Sequence, residues 1–181
     1  MRKKKFLTIL LCAVLALGMI GFTGCGNNSD KSGDGDGGNA EQTYRVTLFF
    51  ANEKYIATGD ESLEKFVVNE QELTAKPGSA YKDALELLRT APDESCSTVI
   101  GDQVKFNDVY LDGDTAVVDL AGGLQGGSLD ESFLIGQIVD TLVNSFNEVK
   151  QVQFLVDGQK VETLMGHIDA GVPFAKDVFA Q

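Results

Sequence analysis

The sequence predicts an α/β domain, a mixed β-sheet with two main helices packed on it. Three observations carry that expectation. The stretch "TYRVTLFFA" places Tyr44, Val46, Leu48 and Phe50 on one face, as a half-buried strand does. Two later stretches, "AKPGSAYKDALELLRTAP" and "SLDESFLIGQIVDTLVNSF", repeat apolar residues at helical spacing. Two Asp-Gly pairs, Asp112-Gly113 and Asp157-Gly158, stand between strand-like runs, where tight hairpin turns belong. The predicted order is β, β, α, β-β, α, β-β, which sets helices against a sheet.

Taken in order, the first strand begins near Thr43. The polar run that follows has two short apolar clusters, Tyr55–Ile56 and Phe66–Val68, and the second reads as a short strand at the sheet edge. The first main helix is capped by Ser79, whose oxygen would accept an orphan backbone N–H. Tyr81, Ala84, Leu85 and Leu88 form its buried stripe, and Pro92 lies just past its end. Residues 104–111 and 115–120 make a hairpin, with Asp112-Gly113 as a type I′ turn. Ser128 and Glu131 form a capping box for the second helix, which buries Ile135, Ile138, Val139, Leu142 and Phe146. A last strand pair turns at Asp157-Gly158, and "MGHIDAGVPFAKD" reads as loop.

Ahead of this domain the chain carries a targeting segment. "MRKKK" precedes the apolar run "FLTILLCAVLALGMIGF", a charged n-region and an h-region. Small residues Thr23 and Gly24 then precede Cys25, and "FTGC" resembles a bacterial lipobox, with Phe22 in place of the usual Leu. Residues 1–24 are expected to be a lipoprotein signal peptide removed before Cys25, whose thiol and amine are then acylated. Such multiple acylation anchors stably where one chain would not. The expected location is outside the cytoplasm, lipid-anchored at the outer face of the cytoplasmic membrane, or at an outer membrane if the envelope has one. An ordinary secretory signal with a chance cysteine is the alternative.

Residues 25–43 read as a flexible Gly/Asn/Ser/Asp tether. Asp30, Ser32, Asp34, Gly35, Asp36 and Glu41 match the ligand and turn positions of an EF-hand-like calcium loop. The match is attributed to composition, because Gly37 takes the usual apolar position and no helix-forming sequence precedes Asp30. No metal site and no cofactor are expected. Cleavage before Cys25 would remove four basic residues and no acidic one, moving the formal net charge from −12 to −16. That balance argues against nucleic acid as a partner. Cys12 leaves with the signal and Cys25 is acylated, so Cys96 stands alone in a predicted loop. Asp93 and Glu94 beside it disfavour a reactive thiolate.

No catalytic residue is assigned. Asp112, Asp114, Asp157 and Asp169 fall in turns, where Asp is favoured for backbone reasons. Asp119 differs, being a strand carboxylate beside the Gly-rich turn 122–127. That turn begins with Gly122 and Gly123, precedes a helix start that could favour an anion, and lacks the Gly-Lys-Ser/Thr of a P-loop. His167 is the chain's single histidine, with no neighbouring ligand type. Asp119, Gly122, Gly123 and His167 are therefore the candidate ligand or interaction residues.

The stretches "VTLFFANEKYIA", "YKDALELL", "VYLDGDTAVVDLAGGL", "IGQIVDTLVNSF", "VKQVQFLVDGQKVETLMGHID" and "PFAKD" together resemble the GerMN domain of sporulation and spore germination. The resemblance covers residues 44–178. It implies an α/β fold like the ring-building modules of secretion and sporulation complexes, a lipid-anchored envelope location, and no catalytic activity. The name-giving family member carries two such domains, and this chain has room for one. Two functions follow as expectations. One is a non-catalytic module that joins an envelope complex through a protein partner. The alternative is a solute- or glycan-binding lipoprotein, or an undescribed envelope enzyme, using turn 122–127 with Asp119 and His167. A binder should show a deep pocket, and a scaffold an open sheet edge.

Overall fold

The computed structural model describes residues 40–179. The signal segment, Cys25 and the calcium-loop matches Asp30 to Asp36 lie outside the described residues. The fold is α/β, with two main helices as expected, but the strands form two sheets where one was predicted. A three-stranded sheet has the order β2-β1-β3, and a four-stranded sheet the order β4-β5-β6-β7. Both contribute to one apolar core.

Strand β1 (Gln42–Asn52) buries Val46, Leu48 and Phe50 completely, as its alternation requires. It pairs antiparallel with β2 (Phe66–Ala75), from Gln42 opposite Ala75 to Ala51 opposite Phe66. The predicted edge strand at Phe66–Val68 is thus ten residues long. Its polar outer face hid it: Val68, Glu70, Glu72 and Thr74 are exposed, and only Leu73 and Ala75 are fully buried in the core. The Tyr55–Ile56 cluster lies in a short helix, α1 (Glu53–Thr58). Asn52 caps it, its Oδ1 accepting from the N–H of Lys54 at 3.0 Å and of Tyr55 at 3.4 Å.

Helix α2 (Ala80–Leu87) turns Ala80, Ala84 and Leu85 inward, with Leu88 just beyond its end. Tyr81 is half-buried, stacked edge-on against Phe146, and its hydroxyl donates to Glu148 at 2.8 Å. The predicted Ser79 cap does not form. Ser79 sits in the right-handed helical region (φ −111°, ψ −11°), whereas a capping side chain needs an extended backbone to reach the next turn. Its hydroxyl bonds Asp83 instead, at 2.6 Å. Past the helix, Arg89 pairs with Glu86 and donates to the carbonyls of Gly101 and Val104 at 2.7 and 3.0 Å, tying down the following loop. Cys96 is not in a loop. With Ser97 it forms β3 (Cys96–Ser97), which pairs with the end of β1, and it is buried.

The hairpin β4 (Phe106–Asp112) and β5 (Thr115–Leu120) forms, with Asp112 opposite Thr115. Its turn residues are therefore Gly113-Asp114, not Asp112-Gly113. Of the two, only Gly113 has positive φ, at +65°, which is the II′ pattern and not I′. Helix α3 (Ser128–Ser145) then crosses over to β6 (Gln151–Val156), which runs parallel to β5. Ile135, Ile138, Val139, Leu142 and Phe146 are buried as predicted. The Ser128/Glu131 capping box is absent. Gly127 is the N-cap, its N–H donating to Asp130 Oδ2 at 2.8 Å, and Glu131 turns inward.

After β6 the chain turns at Asp157 (φ +49°) and Gly158 (φ +76°), both positive as a type I′ turn needs. The predicted partner strand does not follow. Gln159 makes one bridge to Val156, and the chain then leaves the sheet. Lys160 and Glu162 are exposed, Val161 between them packs partly against the core, and Leu164 is the first buried residue of the run. The strand beside β6 is β7 (Phe174–Ala175).

Helix α3 also meets the first sheet. Gln137 Nε2 donates to the Phe49 carbonyl at 3.1 Å. Thr141 Oγ1 accepts from the Phe49 N–H at 3.2 Å, and Ser145 Oγ from the Thr47 N–H at 2.9 Å. Side chains four residues apart on a helix lie on one stripe. This stripe supplies the hydrogen bonds that a further strand beside β1 would have made.

Candidate functional site

The Gly-rich turn 122–127 joins β5 to α3 and packs against two loops. At its start, the Asp119 side chain at the end of β5 reaches across to the 157–158 turn, its Oδ1 accepting from the Gly158 N–H at 2.8 Å. Asp157 reciprocates. Its Oδ2 accepts from the Gly122 N–H at 3.2 Å, and its own N–H donates to the Leu120 carbonyl at 2.9 Å. A Cβ on Gly122 would meet Asp157 Oδ2 at 2.7 Å, so a larger residue here would push that carboxylate aside and disturb its bond to the Gly122 N–H. Gly123 has φ +89° and sits in open space. Asp119, Gly122 and Asp157 therefore form one junction that ties the end of β5 to the turn after β6, and Gly123 makes no contact in it.

His167 lies at the other end of the turn. It is exposed, and its Nε2 contacts the Gly126 carbonyl at 3.2 Å. A carbonyl only accepts, so Nε2 carries the proton. Among the described residues that carbonyl is the ring's one hydrogen-bond partner, and no bond joins His167 to Asp119. A histidine acting as a base needs a nucleophile or substrate group within reach and an orienting partner on its other nitrogen. Cys96 supplies neither. It is buried on β3, with Asp93 O as its sulfur's partner. Among the described residues no group of three His, Cys, Asp or Glu is placed to hold a metal ion.

One residue joins these parts and was misread in the sequence. Glu131 is fully buried, and its carboxylate accepts backbone N–H groups from the loop preceding and following His167. Oε1 takes Leu164 and Met165, each at 2.8 Å, and Oε2 takes His167 at 2.8 Å and Ile168 at 3.2 Å. No Lys or Arg pairs with it among the described residues. A buried carboxylate needs its charge balanced by donors, and these four N–H dipoles, with the helix start beneath, supply them. The S-x-x-E pattern was visible, but partners more than thirty residues away were not.

The second buried carboxylate is Asp140, also on α3. Its Oδ1 accepts from the Asp177 N–H at 2.8 Å. Burial pushes its carboxyl up to about 6, opposed by that N–H and by Lys176, while the charge of Asp177 adds to the rise. An open groove of about 340 Å³ lies on the outer face of the second sheet, lined by Tyr110, Asp112, Val117, Gln153 and Lys160 among others. Asp119, Gly122, Gly123 and His167 are not part of it. The geometry thus uses the candidate residues to fasten loops. Among the described residues, no helix is long and apolar enough to cross a membrane.

The family model for sporulation and spore germination, Germane, matches residues 47–162. No curated protein matches. Among solved structures, the first GerMN domain of the sporulation protein GerM from Bacillus subtilis is similar at 18% identity and a TM-score of 0.54, covering 74% of this chain and 97% of that one. The tandem GerMN domains of the same protein are similar at 15% identity and a TM-score of 0.50, covering 84% of this chain and 50% of that one. A protein of Clostridium perfringens named as a candidate lipoprotein is similar at 17% identity and a TM-score of 0.48, covering 76% of this chain and 89% of that one.

Proposed function

Because the chain belongs to the Germane family of sporulation and spore-germination domains, we propose that it is an envelope-anchored interaction module, without catalysis of its own, held by lipid on Cys25. Its GerMN domain joins a protein complex in sporulation or germination. The observation that supports this reading is the engagement of the candidate side chains. Asp119 and Glu131 place their carboxylate oxygens on backbone N–H groups, and the protonated nitrogen of His167 sits on a backbone carbonyl. Groups so occupied position loops.

The test pairs function with stability. His167→Ala and Asp119→Asn are introduced into the full chain, and cellular role, melting temperature and partner co-purification after mild detergent extraction are measured together. The module reading expects His167→Ala to behave as wild type and Asp119→Asn to lower only the melting temperature. Loss of the role with stability and partner capture unchanged would favour a ligand site or enzyme. Cys25→Ser tests the anchor separately. It should abolish partition into the detergent phase, and retained partition after normal processing would contradict the lipid assignment.

A solute-binding reading draws on one other feature, the groove over β4, β5 and β6. There the buried Gln153 has an Oε1 with no hydrogen-bond partner. If a solute uses it, Tyr110→Ala and Lys160→Ala should impair the role while Asp119→Asn does not.

A further inference from the structure

We propose that the outer edge of β2 is a docking strand for an extended, basic segment of a partner protein. This rests on the interaction-module reading and names the surface and the partner's chemistry. The register supplies the first premise. Thr47 and Phe49 turn their N–H groups to α3, so the alternate residues Val46, Leu48 and Phe50 face β2. Their partners there are Gln71, Asn69 and Val67. Val68, Glu70, Glu72 and Thr74 consequently point their N–H and C=O groups away from β1. Among the described residues, no hydrogen bond meets these backbone groups.

An unpaired edge of this length is normally guarded, because it templates strand addition. This one has no proline and no bulge along its pairing with β1, and no second strand of the described chain pairs with it. Val68 offers an apolar contact on it, 52% exposed. Its guard is charge: Glu70 and Glu72 stand exposed on one face, two residues apart, as alternate strand residues do. Arg45 approaches Glu70 only at 4.0 Å, with both side chains largely in solvent, and so neutralises little.

That charge selects the occupant. Antiparallel pairing of two copies about Gln71 would set Glu70 of each against Glu72 of the other, and like charges directly opposite destabilise a ladder. The chain's own residues 26–43 carry Lys31 and Arg45 follows them, but Asp30, Asp34, Asp36 and Glu41 make that segment acidic. A partner strand with Lys or Arg at alternate positions satisfies both the backbone and the carboxylates. Main-chain bonds would supply affinity and the charges specificity.

The experiment uses the full chain in detergent micelles. The probes are a short synthetic peptide alternating Lys with Val or Thr and its counterpart with Glu for Lys. Binding is read by fluorescence anisotropy and by residue-resolved amide exchange. The Lys peptide should bind and slow exchange at Val68, Glu70 and Glu72, and the Glu peptide should do neither. The double variant Glu70→Lys/Glu72→Lys should stay folded with a slightly lower melting temperature, because residue 72 stands opposite Arg45. It should weaken the Lys peptide by about tenfold or more and accept the Glu peptide. Several outcomes would overturn the proposal: no binding, binding without slowed amides, equal effects of both peptides, or amides that slow with protein concentration alone. Partner co-purification is followed in parallel. A silent edge with partner capture retained removes the docking strand and leaves the module reading. A responsive edge, with the role lost in Asp119→Asn despite normal capture and stability, removes the module reading instead.

Discussion

The two edges of the first sheet receive opposite treatment from one chain. Beyond β1, Gln137, Thr141 and Ser145 of α3 bond the backbone of Phe49 and Thr47, and β3 takes over at Ala51 and Asn52. Beyond β2, nothing in the described residues does the same from Val68 to Thr74. The difference shows where the chain has built a helix to close a sheet and where it has left the sheet open. A buried edge must have its polar groups paired, whereas a solvated edge is free to pair with something else.

The strongest way to break the covered side is to release the start of α3. Glu131→Ala would leave N–H groups of Leu164, Met165, His167 and Ile168 without their acceptor. We expect a loss of about 3 kcal/mol or more in denaturant unfolding, with early exchange of the 164–168 amides. Gln137→Leu comes next, at about 2–3 kcal/mol, because it strands the Phe49 carbonyl and the Val99 N–H, which the Gln137 amide serves at 3.1 and 3.0 Å. Both should leave the Lys peptide's affinity for β2 unchanged in the folded fraction. A matching loss of affinity would mean that the two edges are not independent.

Asp140 sharpens the comparison through pH. It sits on the same helix and takes no part in either edge. Its folded value of about 6 lies above the ordinary aspartate value of 3.8. The folded protein therefore holds the extra proton between these values. Stability falls as pH rises through that window and stays lower above it. Asp140→Asn keeps an acceptor for the Asp177 N–H and removes the buried charge. At pH 7.5 it should be more stable by on the order of 1–2 kcal/mol, after discounting for solvent screening. The slope between about pH 4 and 6 should flatten in urea titrations. Thr141→Val, an isosteric loss of the bond to the Phe49 N–H, is the smallest of these effects, at about 1 kcal/mol.

What the sequence disclosed and what it hid divide along the range of the interactions. The strand face Val46, Leu48 and Phe50 and the helix stripe Ile135, Ile138, Val139 and Leu142 were legible, because apolar periodicity reports burial directly. The Asp157-Gly158 turn was legible because its backbone demand is local. Strand β2 was cut short because Asn69, Glu70, Gln71 and Glu72 mask its alternation. Strand β3, two residues long, leaves no pattern. Asp119 and His167 were found as exceptional residues, but their partners at Gly158 and Gly126 lie 39 and 41 positions away. Glu131 was assigned to the nearest local motif for the same reason. A signal for the covered edge did exist. Gln137, Thr141 and Ser145 recur every four residues among the apolar positions of α3, a stripe that needs an acceptor or donor surface opposite.

The account stands most directly on amide exchange of the free full chain, measured residue by residue without any peptide. Thr47 and Phe49 should be protected through α3, and Val68, Glu70 and Glu72 should exchange faster than these by roughly two orders of magnitude or more. Equal protection on the two sides would mean that the β2 edge is already closed, and would contradict the claim that the chain holds this strand open for a partner.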